Sequence, residues 1–501
     1  MHRVRRSEMA RLTNARSARD PLVVAIDIGS SSIRAAVYDA TGTRLRGTMA
    51  RRTYTMQVGA GGAVTVEPGT LVALVTEVID ALAGRVGRTL DRCRAIAVSG
   101  FMHGLVPLDV RGRPLAAVAS WADTTAAPAA AELRDELDEA EVWQRTGAPL
   151  HASYWPAKIR ALQRRPGDRI ARWSGGPEHV VETMTGAAMA DVSLASATGL
   201  VDRRTGDWDA PLLEHLAVEA RRLPILRQEA AWDVTVRPPY VSRWPALARV
   251  PWLPPFADGA CGNVGLGCRS ADAAALMIGT SSALRVLTPD SPDTLPAGLF
   301  SFRLGAASLL GGQLSEGGGV VAWLARLTGW APARLERAAA ELLPDGHGLT
   351  ILPYLLGERG PGYHADARGT VAGLSATTGP AELFRASLES VALRLAIIDR
   401  LLTTALAGPP RIVASGGALG RSVLWPAIVA DVLGREIVLP AEDEPSMRGA
   451  AVLALEALGV DVASERAELV ADATTVAPDH DRHARYRDAL ERQERLYERV
   501  V

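Results

Sequence analysis

A ten-residue run near the start of the chain, Ala25-Ile-Asp-Ile-Gly-Ser-Ser-Ser-Ile-Arg34, returns in altered form as Ala275-Leu-Met-Ile-Gly-Thr-Ser-Ser-Ala-Leu284. The two glycines, Gly29 and Gly279, stand 250 residues apart, half of a 501-residue chain. An apolar strand ending in Gly, then three small hydroxyl residues, then a second strand, makes a turn whose backbone N–H groups can hold phosphate oxygens. Two such turns predict two domains of one design, each offering a phosphate-holding turn to a shared cleft. The copies differ where chemistry would differ, since Asp27 in the first is Met277 in the second. That asymmetry predicts a metal on the first side alone.

A chain of this length exceeds one hydrophobic core and suits two domains. The net charge of −1 provides no general attraction to nucleic acid or anionic lipid. No run of about 18 apolar residues escapes a charge or a turn, so no membrane span is expected. Cys93, Cys261 and Cys268 show no metal or redox spacing and fit a reducing cytoplasm. Six arginines fall in the first twenty residues without an apolar core segment, which is not a secretory signal. Residues 1–21 are read as a disordered basic leader, with Met9 or a later residue as the true start. Lysine occurs once, as Lys158, among 55 basic side chains. We read that bias as codon usage; Lys158 also lies outside any G-x-x-x-x-G-K loop, which excludes a P-loop protein.

Val23–Ile28, Ile33–Asp39 and the stretch 44–53 read as a three-stranded meander, followed by a helix over 71–84 and a buried strand over 94–98. Charged and Pro-led helices are expected over 129–139 and 155–163. The Pro- and Trp-rich stretch 224–255 approaches a domain boundary near 267–270. The second half repeats the plan, with strands at 273–278, 283–287, 411–414 and 436–440. Its expected helices cover 320–327, 381–406, 422–433 and 446–458. This order describes an α/β protein with mixed sheets flanked by helices. The domains are placed at 22–269 and 270–460, with a charged helical tail over 461–501 capping the surface.

Asp27, two residues before the first turn, can hold Mg²⁺ through water beside a bound phosphate; a local turn bond is the other reading. Arg34 can meet a phosphate with its planar fork of donors. Asp258, in Phe256-Ala-Asp-Gly-Ala, precedes the second turn and could accept the proton of an attacking hydroxyl. It could equally cap the following helix. Ser415-Gly-Gly417 and Gly317-Gly-Gly319 allow flat backbone against a base or ribose. Met102-His103 and Trp121-Ala-Asp123 suit a polyol, although isolated His and Trp are commonly core. His480, Asp481 and His483 lie among tail arginines and read as a solvated surface. No GxSxG, HExxH or GxGxxG motif is present, nor a basic aromatic surface for nucleic acid.

Four blocks together resemble the FGGY carbohydrate kinases, which share the actin-like ATPase fold, over roughly residues 22 to 460. They are the run from Ala25 to Arg34; Phe256-Ala-Asp-Gly-Ala through Ile278-Gly-Thr280; Leu352-Pro-Tyr-Leu-Leu-Gly-Glu-Arg359 with Ala367-Arg-Gly369; and Ala414-Ser-Gly-Gly417. The resemblance implies two actin-like (ribonuclease H-like) domains closing on a cleft. It makes Asp258 the catalytic base and places a metal at Asp27 and Asp258. ATP would be gripped by Ser30, Ser31, Ser32, Arg34, Gly279, Thr280, Gly319, Gly417 and Arg421. The sugar would meet Met102, His103, Trp121, Asp123 and Asp258. The block ending at Arg359 is taken as a family marker rather than a catalytic station.

Within the family, Trp121-Ala-Asp123, the segment from His151 to Lys158, and Gly357-Glu-Arg-Gly-Pro-Gly362 look most like gluconate kinases. The expected reaction is therefore transfer from ATP, with Mg²⁺, to the terminal hydroxyl of D-gluconate. Relatives usually carry Arg two residues after the Asp of the Trp-x-Asp block, where this chain has Thr125. Arg421 stands where some relatives have Asn. A pentulose kinase such as a xylulose kinase, and a non-catalytic actin-like sugar sensor, remain as alternatives. The implied partners are a small sugar or sugar acid, with no nucleic acid and no membrane, and the chain is compatible with a homodimer.

Overall fold

The computed structural model describes residues 12–165, 169–227, 234–462 and 473–501. Strand Leu22–Ile28 is fully buried and apolar at every position but Asp27, as a strand covered on both faces must be. It pairs antiparallel with Ser32–Tyr38, setting Asp27 opposite Arg34, and parallel with Cys93–Gly100. The third strand of the expected meander is broken into Arg44–Leu45 and Ala50–Thr53. Gly47 turns between them at φ +76°, and Thr48 Oγ1 takes the Val37 N–H that a continuous strand would have paired. One face of this sheet is covered by helix Pro68–Val86, which buries Leu71, Val75, Val78, Ile79 and Leu82 at helical spacing.

The second sheet repeats the arrangement. Ala273–Ile278 pairs antiparallel with Ser282–Thr288 and parallel with Arg411–Ser415. Two further strands, Phe300–Leu304 and Ala307–Leu314, extend it and were not anticipated. Gly311 and Gly312 conceal the second of these in the sequence. A Cβ on Gly312 would stand 2.7 Å from Ile398 of the long helix Pro380–Ala405, and one on Gly311 would crowd Arg285.

Two helices cross between the sheets. Asp258–Gly265 lies beside the second hairpin, while Pro445–Ala457, from the far end of the chain, packs on strands of the first sheet. A Cβ on Gly449 would fall 1.8 Å from the Cys261 carbonyl oxygen, and one on Gly265 1.9 Å from that of Pro445. Glycine is required at both, because backbone meets backbone there. A cut at 269/270 therefore separates helix 445–457 from the sheet it covers.

The basic leader needs correction. Residues 1–11, Met9 included, lie outside the described residues, but residues 12–21 are folded. Leu12–Thr13 pairs with Arg44–Leu45, and the Arg92 guanidinium ties down the Ala15 and Ala18 carbonyls at 2.7 Å each. The C-terminal helix His480–Val500 likewise does more than cap a surface. It buries Tyr486, Ala489 and Gln493, and its Tyr497 hydroxyl donates to Glu358 at 2.7 Å. No described helix is long and apolar enough to cross a membrane.

Candidate active site

Both hairpin turns open on one cavity of about 460 Å³. Ser30, Ser31, Ser32, Arg34, Gly279, Thr280, Gly319, Gly417 and Arg421 all line it, together with Asp27 and Asp258. The Gly29 N–H donates to the Ser32 carbonyl at 3.1 Å and the Gly279 N–H to that of Ser281 at 2.9 Å, so each turn closes on its own glycine N–H, the first over four residues and the second over three. Two glycine segments, 317–319 and 416–417, converge on the second turn. The Gly318 N–H donates to Gly279 at 2.7 Å, and Gly416, at φ +116°, lies against Ile278 where a Cβ would fall 2.4 Å from its oxygen. Arg421 folds over Gly417 at the rim.

The two hairpins bring opposite charge to this cavity. Asp27 is buried, accepts from Ser99 Oγ at 2.8 Å and pairs with Arg34, which also pairs with Glu444. The Arg34 fork, expected on phosphate, is thus engaged by two carboxylates. Opposite them, Arg285 is buried and makes no ion pair among the described residues. Its Nη2 approaches the Met277 sulfur at 3.1 Å, and its backbone oxygen accepts from Asn263 Nδ2 at 3.1 Å. Asp258 is the first residue of its helix, whose N-cap is Ala257, so its side chain is not a cap. Burial pushes the Asp258 carboxyl up to about 6; Arg285 draws it down and Asp27 raises it. A carboxyl poised there is ionised at neutral pH and still basic enough to take a hydroxyl proton.

Met102, His103, Trp121 and Asp123 are not among the residues lining this cavity. Met102 packs on Gly259, next to Asp258. His103 occupies the left-handed region at φ +68°, and its Nδ1 donates to the Ala197 carbonyl at 2.5 Å. That bond leaves Nε2 as an acceptor, buried without a partner. His151 is the converse. Its Nδ1 accepts from the Ser153 N–H at 3.1 Å, so Nε2 is a donor, also buried and unpaired. Burial beside Arg359 keeps both rings neutral, with His151 held down to about 3. His103 packs edge-on against Tyr154 (4.9 Å) and Phe302 (5.9 Å), and His151 against Tyr363 (5.8 Å).

Arg359 adjoins this ring-lined box, with its guanidinium 5.0 Å from the centre of the Trp121 ring. It is buried, makes no ion pair among the described residues and leaves Nε unpaired. Its neighbour Glu358 is saturated instead, accepting from Tyr354, Arg394, Tyr497 and the Gly362 N–H. Asp123 does not open into the box. It accepts from the Val64 N–H, the Thr125 N–H and the Thr125 hydroxyl, which ties it to its own loop and to strand Val64–Val66.

The sequence matches the N-terminal domain of the FGGY family of carbohydrate kinases over residues 22–265 and the C-terminal domain over 274–458. The chain belongs to the FGGY family of carbohydrate kinases. As an FGGY kinase it transfers phosphate to a hydroxyl group of a carbohydrate. It is 28% identical over 417 residues to the gluconokinase of Bacillus subtilis (strain 168), covering 80% of this chain and 81% of that one. It is 29% identical to the xylulose kinase of Streptomyces rubiginosus, covering 87% and 88%. The solved gluconate kinase from Lactobacillus acidophilus superposes with a TM-score of 0.84 at 25% identity, over 96% of this FGGY kinase and 98% of that chain.

Arg285 and Arg359 escaped the sequence reading as site residues. Arg285 carried a signal, a lone charge inside the strand Ser282-Ala-Leu-Arg-Val-Leu-Thr288. Among the described residues, one His and carboxylate cluster, Asp345, His347 and Glu389, has the compactness of a metal site. The Leu349 N–H donates to His347 Nδ1 at 3.0 Å, which puts the proton on Nε2, the atom 2.8 Å from Glu389. With Arg385, Arg492 and Tyr486 also bonded to the two carboxylates, the cluster is a hydrogen-bond network under the C-terminal helix.

Proposed function

We propose that this FGGY kinase phosphorylates the terminal hydroxyl of a sugar acid, D-gluconate, using ATP. The observation that carries the acid is the pair of buried guanidiniums near Asp258. Arg285 and Arg359 each interact electrostatically with Asp258, yet neither has an ion-pair partner among the described residues. A buried cation without its own counter-ion is costly unless an anion arrives to pair with it. Arg359, stacked near Trp121 and beside two unpaired histidine nitrogens, is placed to receive a carboxylate. The histidines supply one donor and one acceptor for hydroxyls. The gluconokinase relatives support the same choice.

In the reaction, Asp258 takes the proton of the acceptor hydroxyl while the hydroxyl oxygen bonds to the γ-phosphorus and the bond from that phosphorus to the β–γ bridging oxygen breaks, releasing ADP. The turns at 30–32 and 279–281 hold the phosphates through backbone and hydroxyl donors, and Arg285 faces the charge that moves. Asp27, Asp258, Asp443 and Glu444 all line the cavity and provide the hard oxygen donors that suit Mg²⁺ carried with its own waters. When bound there, Mg²⁺ neutralises phosphate charge.

The alternative is a pentulose, since Met102-His103-Gly104 also resembles xylulose kinases, and one feature bears on the choice. Thr125 closes on Asp123 where relatives usually carry Arg, so the acceptor loop departs from the family pattern. An ATP-consumption panel with D-gluconate, D-xylulose, D-ribulose, glycerol and erythritol decides between the readings. Turnover strongest on gluconate is expected, and a strong signal on a ketose with none on gluconate overturns the proposal.

A further inference from the structure

A chain that uses arginine almost everywhere retains a single lysine, Lys158, and buries it. It lies on helix Trp155–Gln163, and its Nζ donates to the carbonyls of His103 (2.7 Å), Ser120 (2.7 Å) and Ala119 (3.3 Å). An ammonium offers three donors from one atom, which matches three carbonyls converging on a point. A planar guanidinium spreads its donors along a fork and cannot satisfy that arrangement from the same stem. Lys158 has no ion pair among the described residues. Burial lowers its pKa to about 7, Asp123 raises it, and Arg359 lowers it further, while the neighbouring His103 and His151 stay neutral.

The three carbonyls lie at the acceptor loops. One belongs to His103 itself, which holds a left-handed conformation that a non-glycine residue rarely adopts. The other two immediately precede Trp121, the ring beside Arg359. The ring of His103 is fixed separately through Ala197, so its backbone and side chain are each held from a different side.

We propose that Lys158 is the positioning residue of the acceptor pocket, stapling the loop of His103 to the loop of Trp121 and so setting affinity for the carbohydrate but not for the nucleotide. The proposal rests on the reading that this box receives the acceptor, and holds for an acid or a neutral sugar alike. Lys158→Arg keeps the charge and removes the geometry. In the full chain it should raise the acceptor KM on the order of 10- to 100-fold, the range for lost charged hydrogen bonds. The KM for ATP should stay unchanged and kcat should move far less.

An unchanged acceptor KM, or both KM values and kcat shifting together, overturns the assignment. His103→Ala and Trp121→Ala separate the two layers of the argument. If they also leave the acceptor KM unchanged, the pocket reading fails. If they raise it while Lys158→Arg does not, the staple alone fails. Should Lys158→Arg not fold, the wild-type protein labelled with ε-¹³C lysine gives one side-chain signal. Saturating acceptor (D-gluconate, or D-xylulose if the panel selects it) should shift that signal and ADP alone should not. A signal unmoved by acceptor overturns the proposal.

Discussion

The two hairpins share a strand, glycine and hydroxyl-turn plan and a place on the cavity, the second turn being one residue shorter, yet they carry opposite electrostatics. The first sets Asp27 opposite Arg34, and Glu444, the residue just before the crossing helix, adds a second carboxylate to this wall. The second has Met277 at the equivalent position and presents Arg285, a guanidinium without a carboxylate bound to it. A duplicated scaffold thus gives two turns on one cavity, and the side chains beside them make one pole rich in carboxylates and the other a lone guanidinium. Asp258 stands between them and feels both, since Asp27 raises its pKa and Arg285 lowers it.

The largest effect should come from removing the group between the poles. Asp258→Asn is isosteric and should lower kcat by roughly 10³-fold or more, the range for a lost general base. Nucleotide binding, read by ADP titration, should stay within a few-fold. Retention of more than a few per cent of kcat would sink the role of Asp258 as base.

The poles themselves can then be set against each other. Asp27→Asn and Arg285→Met should each cost roughly 10²–10³ in kcat, so the rates alone do not distinguish them. The pH profile does. In the wild-type protein kcat/KM should fall as pH drops through about 6, because Asp258 loses its basic form there. Removing the Asp27 charge removes a cause of the upward shift, so the acid limb should move to lower pH. Removing the Arg285 charge removes a downward cause, so the limb should move to higher pH. Limbs moving the same way would break the two-pole account.

A third effect concerns the crossing that lets the two halves meet. Gly449→Ala places a methyl 1.8 Å from the Cys261 oxygen, a contact only backbone movement can relieve. A stability loss of about 1–3 kcal/mol is expected, read as a lowered denaturation midpoint. Gly84→Ala, on an exposed helix face with nothing within 4 Å, should be neutral or stabilising.

The contrast between hairpins was largely readable in the sequence, because strand, glycine and hydroxyl turn are local and fix their own geometry. All nine residues assigned to the nucleotide line one cavity, six of them on the hairpins for that reason. What was not readable depended on partners far away in the chain. The small residues of helix 445–457 announced a close approach but not that it covers the first sheet. Asp123 looked free until Thr125 and Val64 were seen to close on it. Arg285 and Arg359 were overlooked because a buried arginine is defined by the carboxylate it lacks, and no spacing records a missing partner. On its own, Lys158 served in the sequence only to exclude a P-loop for a similar reason, since its three acceptors are backbone carbonyls of remote loops.

The smallest effect tests how the acceptor-side guanidinium is held, and so sharpens the same contrast at longer range. Arg285 is placed by its own strand, whereas Arg359 sits in a loop and depends on its neighbour Glu358. That carboxylate is anchored by four donors, one of them Tyr497 from the last turns of the chain. Tyr497→Phe deletes one donor and leaves the other three, so the stability loss should be about 1 kcal/mol. If the C-terminal helix positions Arg359, the KM for the acceptor should rise severalfold while the KM for ATP and the acid limb of the pH profile stay in place. A variant that loses stability with both KM values unchanged would show that the helix only holds the domain together, leaving Arg359 to be oriented by Trp121 and the box alone.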